Sequence, residues 1–236
     1  MYIKKQAQEV IRMKTDLLEK GAILQRDKET YAIAPHLTAG IVTPDILRNI
    51  ANIAEKYNSA AIKVTGAQRI AIVGLKEEDL DNVWEDLGMD PGAAIGLCVR
   101  SVKVCPGTTF CKRGLQDSVK VGSKLDSLYH GKKLPNKFKM GVSGCPHSCA
   151  DSAFKDIGLI GSGKGWMLYV GGKGGAKPRI ADKIAPCVSE EKIYDLIEKI
   201  IQVYDENATV RERLGSYIDR VGLDEFKKQI DLDSYL

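Results

Sequence analysis

Apolar residues recur three or four positions apart in two early segments of the chain, residues 3–20 and 43–57. This spacing places them along one side of a helix, so both segments are predicted to be amphipathic helices. Gly21 is expected to end the first helix, which would serve as a packing or dimer surface. Thr43 is expected to begin the second, because its hydroxyl can accept a hydrogen bond from the first turn, where Pro44 is well tolerated.

The segments around the second helix favour strands. Residues 30–37 are predicted to form a short strand, and residues 60–65 and 69–75 alternate apolar and polar side chains about a turn at Gly66. Such alternation on both sides of a glycine turn predicts a β-hairpin. A predicted helix over 77–87 completes a β-α-β-β-α order. This order indicates an α+β fold that begins with a small ferredoxin-like domain.

Asp90, Pro91 and Gly92 form a turn-prone triplet that marks the predicted boundary between domains over 1–90 and 91–236. The second domain is also expected to be α+β. Its predicted strands are 97–105, 137–142, 157–160 and 166–170, and its predicted helices are 112–129, 146–154, one capped by Ser189, and 208–229 with a break near Gly222.

The composition narrows the class of protein. The chain has 236 residues, of which 44% are hydrophobic and 28% charged, as in ordinary globular proteins. Its net charge of +4, from 35 basic and 31 acidic residues, is too weak a bias to argue for nucleic acid. No run of 18 apolar residues suggests a membrane span, and residues 1–20 lack the apolar core of a secretory signal. A cytoplasmic protein without disulfides is therefore expected.

Four of the six cysteines lie in two short segments that contain proline and glycine. Cys105 and Cys111 form a C-x5-C pair, and Cys145 and Cys149 form a C-x3-C pair. Four thiolates suit tetrahedral zinc or an iron-sulfur cluster, and cysteines can also be plain buried residues. Neither a zinc ribbon nor the bacterial ferredoxin spacing is present, so a cluster held between two separate loops is the favoured interpretation. The remaining cysteines, Cys98 and Cys187, are expected to be packed.

The residues around these loops resemble a known family. The segments VKVCPGTTFCKRG, KFKMGVSGCPHSCADSAFKDIGLIG and YVGGKGG are similar to the sirohaem and 4Fe-4S half of nitrite and sulfite reductases. The segment KVTGAQRIAIVGL is similar to the smaller ferredoxin-like half-domain of that family. The resemblance covers residues 30–225. Larger members contain two such repeats, whereas this chain has one and resembles the small, assimilatory-type sulfite reductases.

The resemblance implies two cofactors and a reaction. Cys105, Cys111, Cys145 and Cys149 would each bind one iron of a 4Fe-4S cluster, and Cys149 would also be the ligand shared with the sirohaem iron. The implied reaction is the six-electron reduction of sulfite to sulfide. Reduction of nitrite to ammonia is the nearest alternative, and a non-catalytic electron-transfer protein carrying the same cofactors is an alternative of a different class.

The implied substrate is an anion and sirohaem carries eight carboxylates in this family, so a site that binds them should contain cations. The candidates from the sequence are Arg69, Arg100, Lys103, Lys137 and Lys139. A strand would place both lysines of the K-F-K segment on one face, because side chains alternate along a strand. The family has two active-site lysines in this segment, and the two arginines resemble residues that contact sirohaem or substrate. Lys103 is assigned to cofactor binding, although a solvated surface cation is an equally weighted alternative.

Other predicted site residues depend on the resemblance. His36 occupies a position where the family commonly has an arginine, and it is expected either to supply charge when protonated or to mark a weaker or different substrate. Thr65 and Gln68 are predicted to bind the ring carboxylates. Gly171, Gly172 and Lys173 are predicted to approach the flat cofactor, whereas His130 is expected at the surface.

Two partners are also predicted. No nucleotide-binding motif is visible, because GSGKG after Ile160 lacks the spacing and context of a dinucleotide site. Electrons are therefore expected from a separate, ferredoxin-like protein. Because the cofactor lies between halves in two-repeat relatives, a further hypothesis is that a homodimer of this single repeat covers the sirohaem.

Overall fold

Two β-sheets, each with its own apolar core, organise the chain. This computed structural model describes residues 13–236. The first sheet contains β1 Ile23–Leu24, β2 Tyr31–Ile33, β3 Ala61–Val64 and β4 Ile70–Leu75, and the second contains β5 Lys103–Val104, β6 Met140–Ser143, β7 Ile157–Ser162, β8 Gly165–Val170 and β9 Asp182–Val188. The α-helices are α1 Pro44–Lys56, α2 Leu80–Leu87, α3 Gly107–Phe110, α4 Ser118–Tyr129, α5 Glu190–Asn207, α6 Leu214–Val221 and α7 Leu223–Gln229.

The first sheet is antiparallel, with strand order β1-β2-β4-β3. The predicted hairpin is confirmed, with Val64 opposite Ile70 across its turn. The predicted helix cap is also confirmed, because the Thr43 hydroxyl accepts a hydrogen bond from the Ile46 amide at 3.3 Å. One face of α1 and one face of α2 pack with the sheet into an apolar cluster that includes Ile50, Ile53, Ile72, Leu75, Leu80 and Val83.

The predicted helix over 3–20 is wrong where the structure can test it. Residues 1–12 lie outside the described residues. Leu17 pairs with Ala22 in an isolated antiparallel bridge, and only Leu18–Lys20 form a turn of 3₁₀ helix. Gly21 ends that turn in the left-handed region, at φ 58°. The segment is thus bound to the chain that follows it instead of continuing as a helix.

The second sheet has the order β5-β6-β7-β8-β9. Strands β5, β6 and β7 are parallel to one another, and β7, β8 and β9 are antiparallel. Helix α4 packs on β5 and β6, and α5 packs on β8. The Ser189 cap of α5 is confirmed, because its hydroxyl accepts from the Lys192 amide at 3.4 Å. Together with both sheets, this gives the predicted α+β fold.

Several predicted elements near the cysteines are wrong. The helix predicted over 112–129 begins only at Ser118, where the Asp117 side chain caps it. The helix predicted over 146–154 is a series of turns followed by a 3₁₀ helix over Ser152–Phe154. Ser148 and Asp151 adopt left-handed conformations, at φ 50° and 53°, which an α-helix cannot contain.

Two further segments differ from their predicted structure, and one strand was not predicted. Of the strand predicted over 97–105, only β5 is regular, and residues 208–213 precede α6 without being helical. Strand β9 was not predicted, because its buried positions do not alternate cleanly and its pairing with β8 is irregular. Within residues 13–236, each helix is too short or too polar to pass through a lipid bilayer.

The two halves meet along a short segment before α1. Pro35 forms an isolated bridge with Pro91, and the His36 amide donates to the carbonyl of Asp90 at 3.1 Å. The Gly92 amide donates to the carbonyl of Ala34 at 3.0 Å. The turn-forming residues 90–92 therefore lie against the first half, and the division into domains at this point stays a prediction.

Candidate functional site

A cavity of about 280 Å³ lies between the turn of the β3–β4 hairpin and the strands of the second sheet. All of the charged side chains that line it are cationic. They are Arg69, Arg100, Lys103, Lys137, Lys139 and Lys155. The structure therefore brings together the five cations that the sequence singled out, and it adds Lys155, which sequence reasoning missed.

Arg69 extends into this cavity from the hairpin turn. Its Nε and Nη1 atoms are buried and make no hydrogen bond within the described residues. Burial lowers the pKa of Arg69, and the neighbouring charge of Arg100 lowers it further. Buried N–H groups without acceptors are costly, so an anion that enters the cavity and accepts from Nε and Nη1 would be strongly favoured.

Arg100 is held more rigidly. Its Nη1 donates to the carbonyl of Ala93 at 2.7 Å and its Nη2 to the carbonyl of Gly96 at 2.8 Å. Because a guanidinium has five N–H donors, these two bonds fix its orientation and leave others directed elsewhere. Burial also lowers the pKa of Arg100. The residue is thus a fixed positive charge on the cavity wall.

Lys139 precedes β6 and is supported from behind by a buried ion pair. Its amide donates to Asp156 Oδ2 at 2.8 Å, and Arg213 binds the same carboxylate with contacts of 3.0 and 2.6 Å. Burial lowers the pKa of the Lys139 ammonium, and the charges of Arg213 and Lys137 lower it further. Lys137 and Lys139 both line the cavity, in accord with the predicted alternation. Asp156 and Arg213 were not predicted from the sequence.

An ion pair connects the cavity with both cysteine segments. Lys103 Nζ lies 2.5 Å from Asp151 Oδ2, and Lys155 Nζ lies 3.9 Å from the same oxygen. Lys103 precedes Cys105 by two residues, and Asp151 follows Cys149 by two. The cation-lined wall and the cysteine loops therefore adjoin each other.

The two cysteine loops are joined through Gly144. Its amide donates to Cys105 Sγ at 3.0 Å, and its carbonyl accepts from the amides of Leu115 and Gln116 at 2.8 and 3.0 Å. A side chain at this position would collide with backbone, because a Cβ would lie 2.8 Å from the Cα of Gly107. Glycine is required here so that the loops can touch.

The donor set fits an iron-sulfur cluster. All six cysteines are free thiols, and Cys105 already accepts an amide hydrogen bond of the kind that tunes cluster sulfurs. Among residues 13–236, no three His, Cys, Asp or Glu side chains converge as a single metal ion would require. A four-iron cluster binds each thiolate to a different iron, so it does not need such convergence.

His36 lies behind the cavity wall instead of lining it. Its Nε2 is 2.7 Å from Oδ2 of the buried Asp126, and its Nδ1 is 3.5 Å from the hydroxyl of Ser101, which does line the cavity. His130 stacks on it, with ring centroids 3.7 Å apart, and accepts a hydrogen bond from the Ala93 amide at 3.1 Å. The surface position expected for His130 is wrong, because the ring is half-buried between the two halves.

Gln68 has a structural role of its own. Its side-chain amide donates to the carbonyl of Val104 at 2.7 Å and accepts from the Val104 amide at 2.8 Å. It therefore occupies the free edge of β5 in place of another strand. The Thr65 hydroxyl accepts from the Arg69 amide at 3.2 Å within the hairpin turn. Their predicted binding of cofactor carboxylates stays a prediction.

The glycines after β8 pack against the protein itself. A Cβ at Gly171 would lie 3.0 Å from the Cα of Gly215, and one at Gly172 would lie 2.6 Å from the carbonyl oxygen of Ala153. Lys173 pairs with Arg179 in an isolated bridge. Close packing of backbone thus accounts for both glycines, and a contact of these three residues with the cofactor stays a prediction.

Comparison with known proteins gives this arrangement a family. The model of the nitrite/sulfite reductase ferredoxin-like half domain matches residues 23–89. The model of the nitrite and sulphite reductase 4Fe-4S domain matches residues 95–235. The chain belongs to the nitrite and sulphite reductase family. The predicted resemblance and the ferredoxin-like start of the α+β fold are confirmed.

Individual members of this family are similar over most of the chain. An assimilatory-type sulfite reductase of Nitratidesulfovibrio vulgaris is 43% identical, across 89% of this chain and 97% of that protein. An NAD(P)H nitrite reductase of Bacillus subtilis is 42% identical across 86% of this chain, which spans only 25% of that protein. A crystal structure of dissimilatory sulfite reductase I shares the fold, with a TM-score of 0.77 at 16% identity over 86% of this chain and 69% of that chain.

Proposed function

We propose that this protein catalyses the six-electron reduction of sulfite to sulfide with a sirohaem and a 4Fe-4S cluster. The observation that carries the proposal is a cavity walled by six cations and adjoining two loops that contain four free thiols. The similarity to an assimilatory-type sulfite reductase along nearly its whole length supports the choice of substrate.

The residues present fit both cofactors. Cys105, Cys111, Cys145 and Cys149 would hold the cluster, and Cys149 is the proposed ligand in common with the sirohaem iron. The unpaired N–H groups of Arg69 suit a ligand rich in carboxylates. When bound, the two groups would supply the electron storage and relay that a six-electron reduction needs.

The cavity residues would position the anion and supply charge and protons. Arg100 is a fixed cation that stabilises negative charge as electrons arrive. Lys137 and Lys139 would hold the substrate, and the lowered pKa of Lys139 favours its release of a proton at a lower pH than an exposed lysine. His36 would act indirectly, through the hydroxyl of Ser101.

Nitrite is the second candidate substrate. The 42% identity to a nitrite reductase favours it, although that relative is about four times longer than the matched segment. Sulfite and nitrite are both small oxyanions, so the same cations would attract either one. We place sulfite first because the relative that this chain spans almost completely is a sulfite reductase.

Steady-state reduction of each anion with a chemical electron donor tests the proposal. We expect sulfide from sulfite, at a kcat/KM above that for nitrite. The reverse order would assign the protein to nitrite reduction, and a holoprotein that turns over neither anion would be a carrier. Iron analysis and an optical spectrum of the same sample should give about four cluster irons per chain together with sirohaem bands.

The electron donor and the assembly remain separate proposals. A ferredoxin-like protein would supply electrons, and a homodimer would cover the sirohaem. A monomeric solution mass with full cofactor content would contradict the dimer. The division into domains over 1–90 and 91–236 is supported by the two separate apolar cores and would be tested by limited proteolysis near residue 91.

A further inference from the structure

Lys155 is the cation on the cavity wall that the sequence analysis does not account for. It follows the 3₁₀ helix Ser152–Phe154 and precedes β7, in the same stretch of chain as the second cysteine loop. Its side chain is only 14% exposed. An ammonium in such a position is unusual, because lysines are ordinarily solvated at the surface.

The fold makes a specific passage for this side chain. A Cβ at Gly141 in β6 would lie 2.8 Å from Lys155 Cγ and 3.4 Å from Cε. The aliphatic stem of Lys155 therefore crosses directly over the Gly141 backbone, where any larger residue would displace it. The backbone of Lys155 also packs closely against Gly172. An added Cβ at Gly172 would lie 2.7 Å from the carbonyl oxygen of Lys155.

The charge of Lys155 is only partly balanced by its neighbours. The nearest carboxylate, Asp151, is bound by Lys103 at 2.5 Å and lies 3.9 Å from Lys155 Nζ, which is beyond hydrogen-bond distance. The described residues that line the cavity include no acidic side chain. A half-buried ammonium on such a wall would be stabilised by an anion that enters the cavity.

We propose that Lys155 binds a negatively charged oxygen of the ligand that occupies this cavity. That oxygen belongs either to a carboxylate of the tetrapyrrole or to the inorganic oxyanion, since both present the same chemistry to an ammonium. The inference rests on the proposed function for the identity of the ligand. Lys155 is thus a further lysine for anion binding, in addition to Lys103, Lys137 and Lys139.

The test replaces Lys155 in the holoprotein and measures two quantities. Lys155→Met removes the charge and keeps an apolar stem, and Lys155→Arg keeps the charge. Lys155→Gln is prepared alongside, so that a folding failure of the methionine variant does not decide the outcome. Lys164→Met, in the exposed turn between β7 and β8, is the matched control. Sirohaem content per chain and the dissociation constant of sulfite, followed by an optical titration, are then compared.

The two measurements distinguish the two sources of the oxygen. A contact with the cofactor predicts that Lys155→Met and Lys155→Gln lose most of their sirohaem. A contact with the substrate predicts full sirohaem content and a sulfite dissociation constant raised about tenfold or more, as expected for loss of a hydrogen bond to a charged group. Lys155→Arg should recover much of either loss, and Lys164→Met should match the unaltered protein.

Unchanged sirohaem content together with an unchanged sulfite dissociation constant in Lys155→Met and Lys155→Gln would overturn the inference. A failure of the proposed function is distinguishable from this result. It would appear in the unaltered holoprotein as an absence of turnover, whereas cofactor content and anion binding can be measured without turnover.

Discussion

The two halves of the molecule contribute to the cavity very unequally. The first half, residues 13–89, supplies one cation, Arg69, from the turn of the β3–β4 hairpin. The second half supplies all four loop cysteines and the other five cations, mostly from turns and strand ends. In both halves the regular elements form a frame, and the residues with chemical roles lie where those elements end.

The largest expected loss, of iron and of activity, follows from replacing a loop cysteine of the second half. Cys105→Ser should abolish cluster assembly, because a hydroxyl is a poor substitute for a thiolate that binds iron. We expect iron to fall well below about four atoms per chain and sulfite reduction to be lost. Iron analysis and steady-state kinetics are the measurements.

Cys187→Ser is the control for that variant. Cys187 lies in β9 outside the two loops, where its thiol donates to the carbonyl of Lys164 at 2.9 Å. Its replacement should leave iron content and activity unchanged. Full iron content in Cys105→Ser would show that the loops do not bind the cluster as proposed, and the contrast between the halves would lose its chemical basis.

The next largest effect should come from the ion pair behind Lys139. Arg213→Met leaves the carboxylate of Asp156 buried, with the side chains 13% and 1% exposed in the pair. Breaking a buried pair by removing one partner costs about 3–5 kcal/mol of unfolding free energy. Denaturant unfolding would measure this loss, and Asp156→Asn in the same background should recover part of it.

Arg48→Met, in the first half, provides the matched comparison. Arg48 pairs with Asp45 on the exposed side of α1, with side chains 70% and 91% exposed. Surface pairs of this kind contribute less than about 1 kcal/mol. Equal losses in Arg48→Met and Arg213→Met would mean that the Asp156 pair does not brace the cavity wall.

The sequence predicted the first half better than the second. In the first half, apolar periodicity correctly placed α1, the hairpin and α2, because these elements are stabilised by one buried face. It was wrong for the helix predicted over 3–20, as far as the described residues show. In the second half, apolar periodicity wrongly predicted helices that extend into the cysteine loops. Ser148 and Asp151 adopt left-handed conformations in successive turns, in which their amides donate to the carbonyls of Cys145 and Ser148, and apolar periodicity does not signal such turns.

Some residues of the site were predictable from the sequence and others were not. Cysteine spacing and the K-F-K segment identified residues of the cavity and its adjoining loops, because they carry a chemical signature in the sequence. Lys155, Asp156 and Arg213 could not be found this way, since Lys155 packs on the distant Gly141 and Asp156 pairs with the distant Arg213. The glycine at position 141 was the available signal for Lys155, but its meaning appears only when β6 and residue 155 are adjacent.

A smaller effect is expected where the first half meets the second. Gln68→Ala removes both hydrogen bonds to Val104 and leaves the buried edge of β5 without partners. Leaving a buried backbone group unsatisfied costs about 1–3 kcal/mol. Denaturant unfolding should show a loss in this range, and Gln202→Ala, on the exposed surface of α5, should show almost none. Equal small losses in both variants would mean that the junction does not depend on Gln68.

The smallest expected effect is a pH dependence of the unfolding free energy caused by His130, which stacks on His36 where the two halves meet. Burial lowers the pKa of His130 from 6.5, and the charge of His36 lowers it further. The unfolded chain therefore binds a proton near pH 6.5 that the folded protein resists, so the free energy of unfolding should fall as the pH drops below 6.5. The slope from this group should stay under about 1.4 kcal/mol per pH unit, because a single imidazole exchanges at most one proton.

His130→Gln should flatten this dependence, because glutamine can still accept a hydrogen bond from the Ala93 amide but does not titrate. The informative quantity is the difference in unfolding free energy between the two proteins from pH 7.5 to 5.5. Acid effects of groups distant from His130 are common to both proteins and cancel in this difference. If the difference is constant with pH, His130 titrates alike in the folded and unfolded chain. The contact between the two halves around His130 would then be open to water, and the first half would be joined to the second less tightly than its contacts indicate.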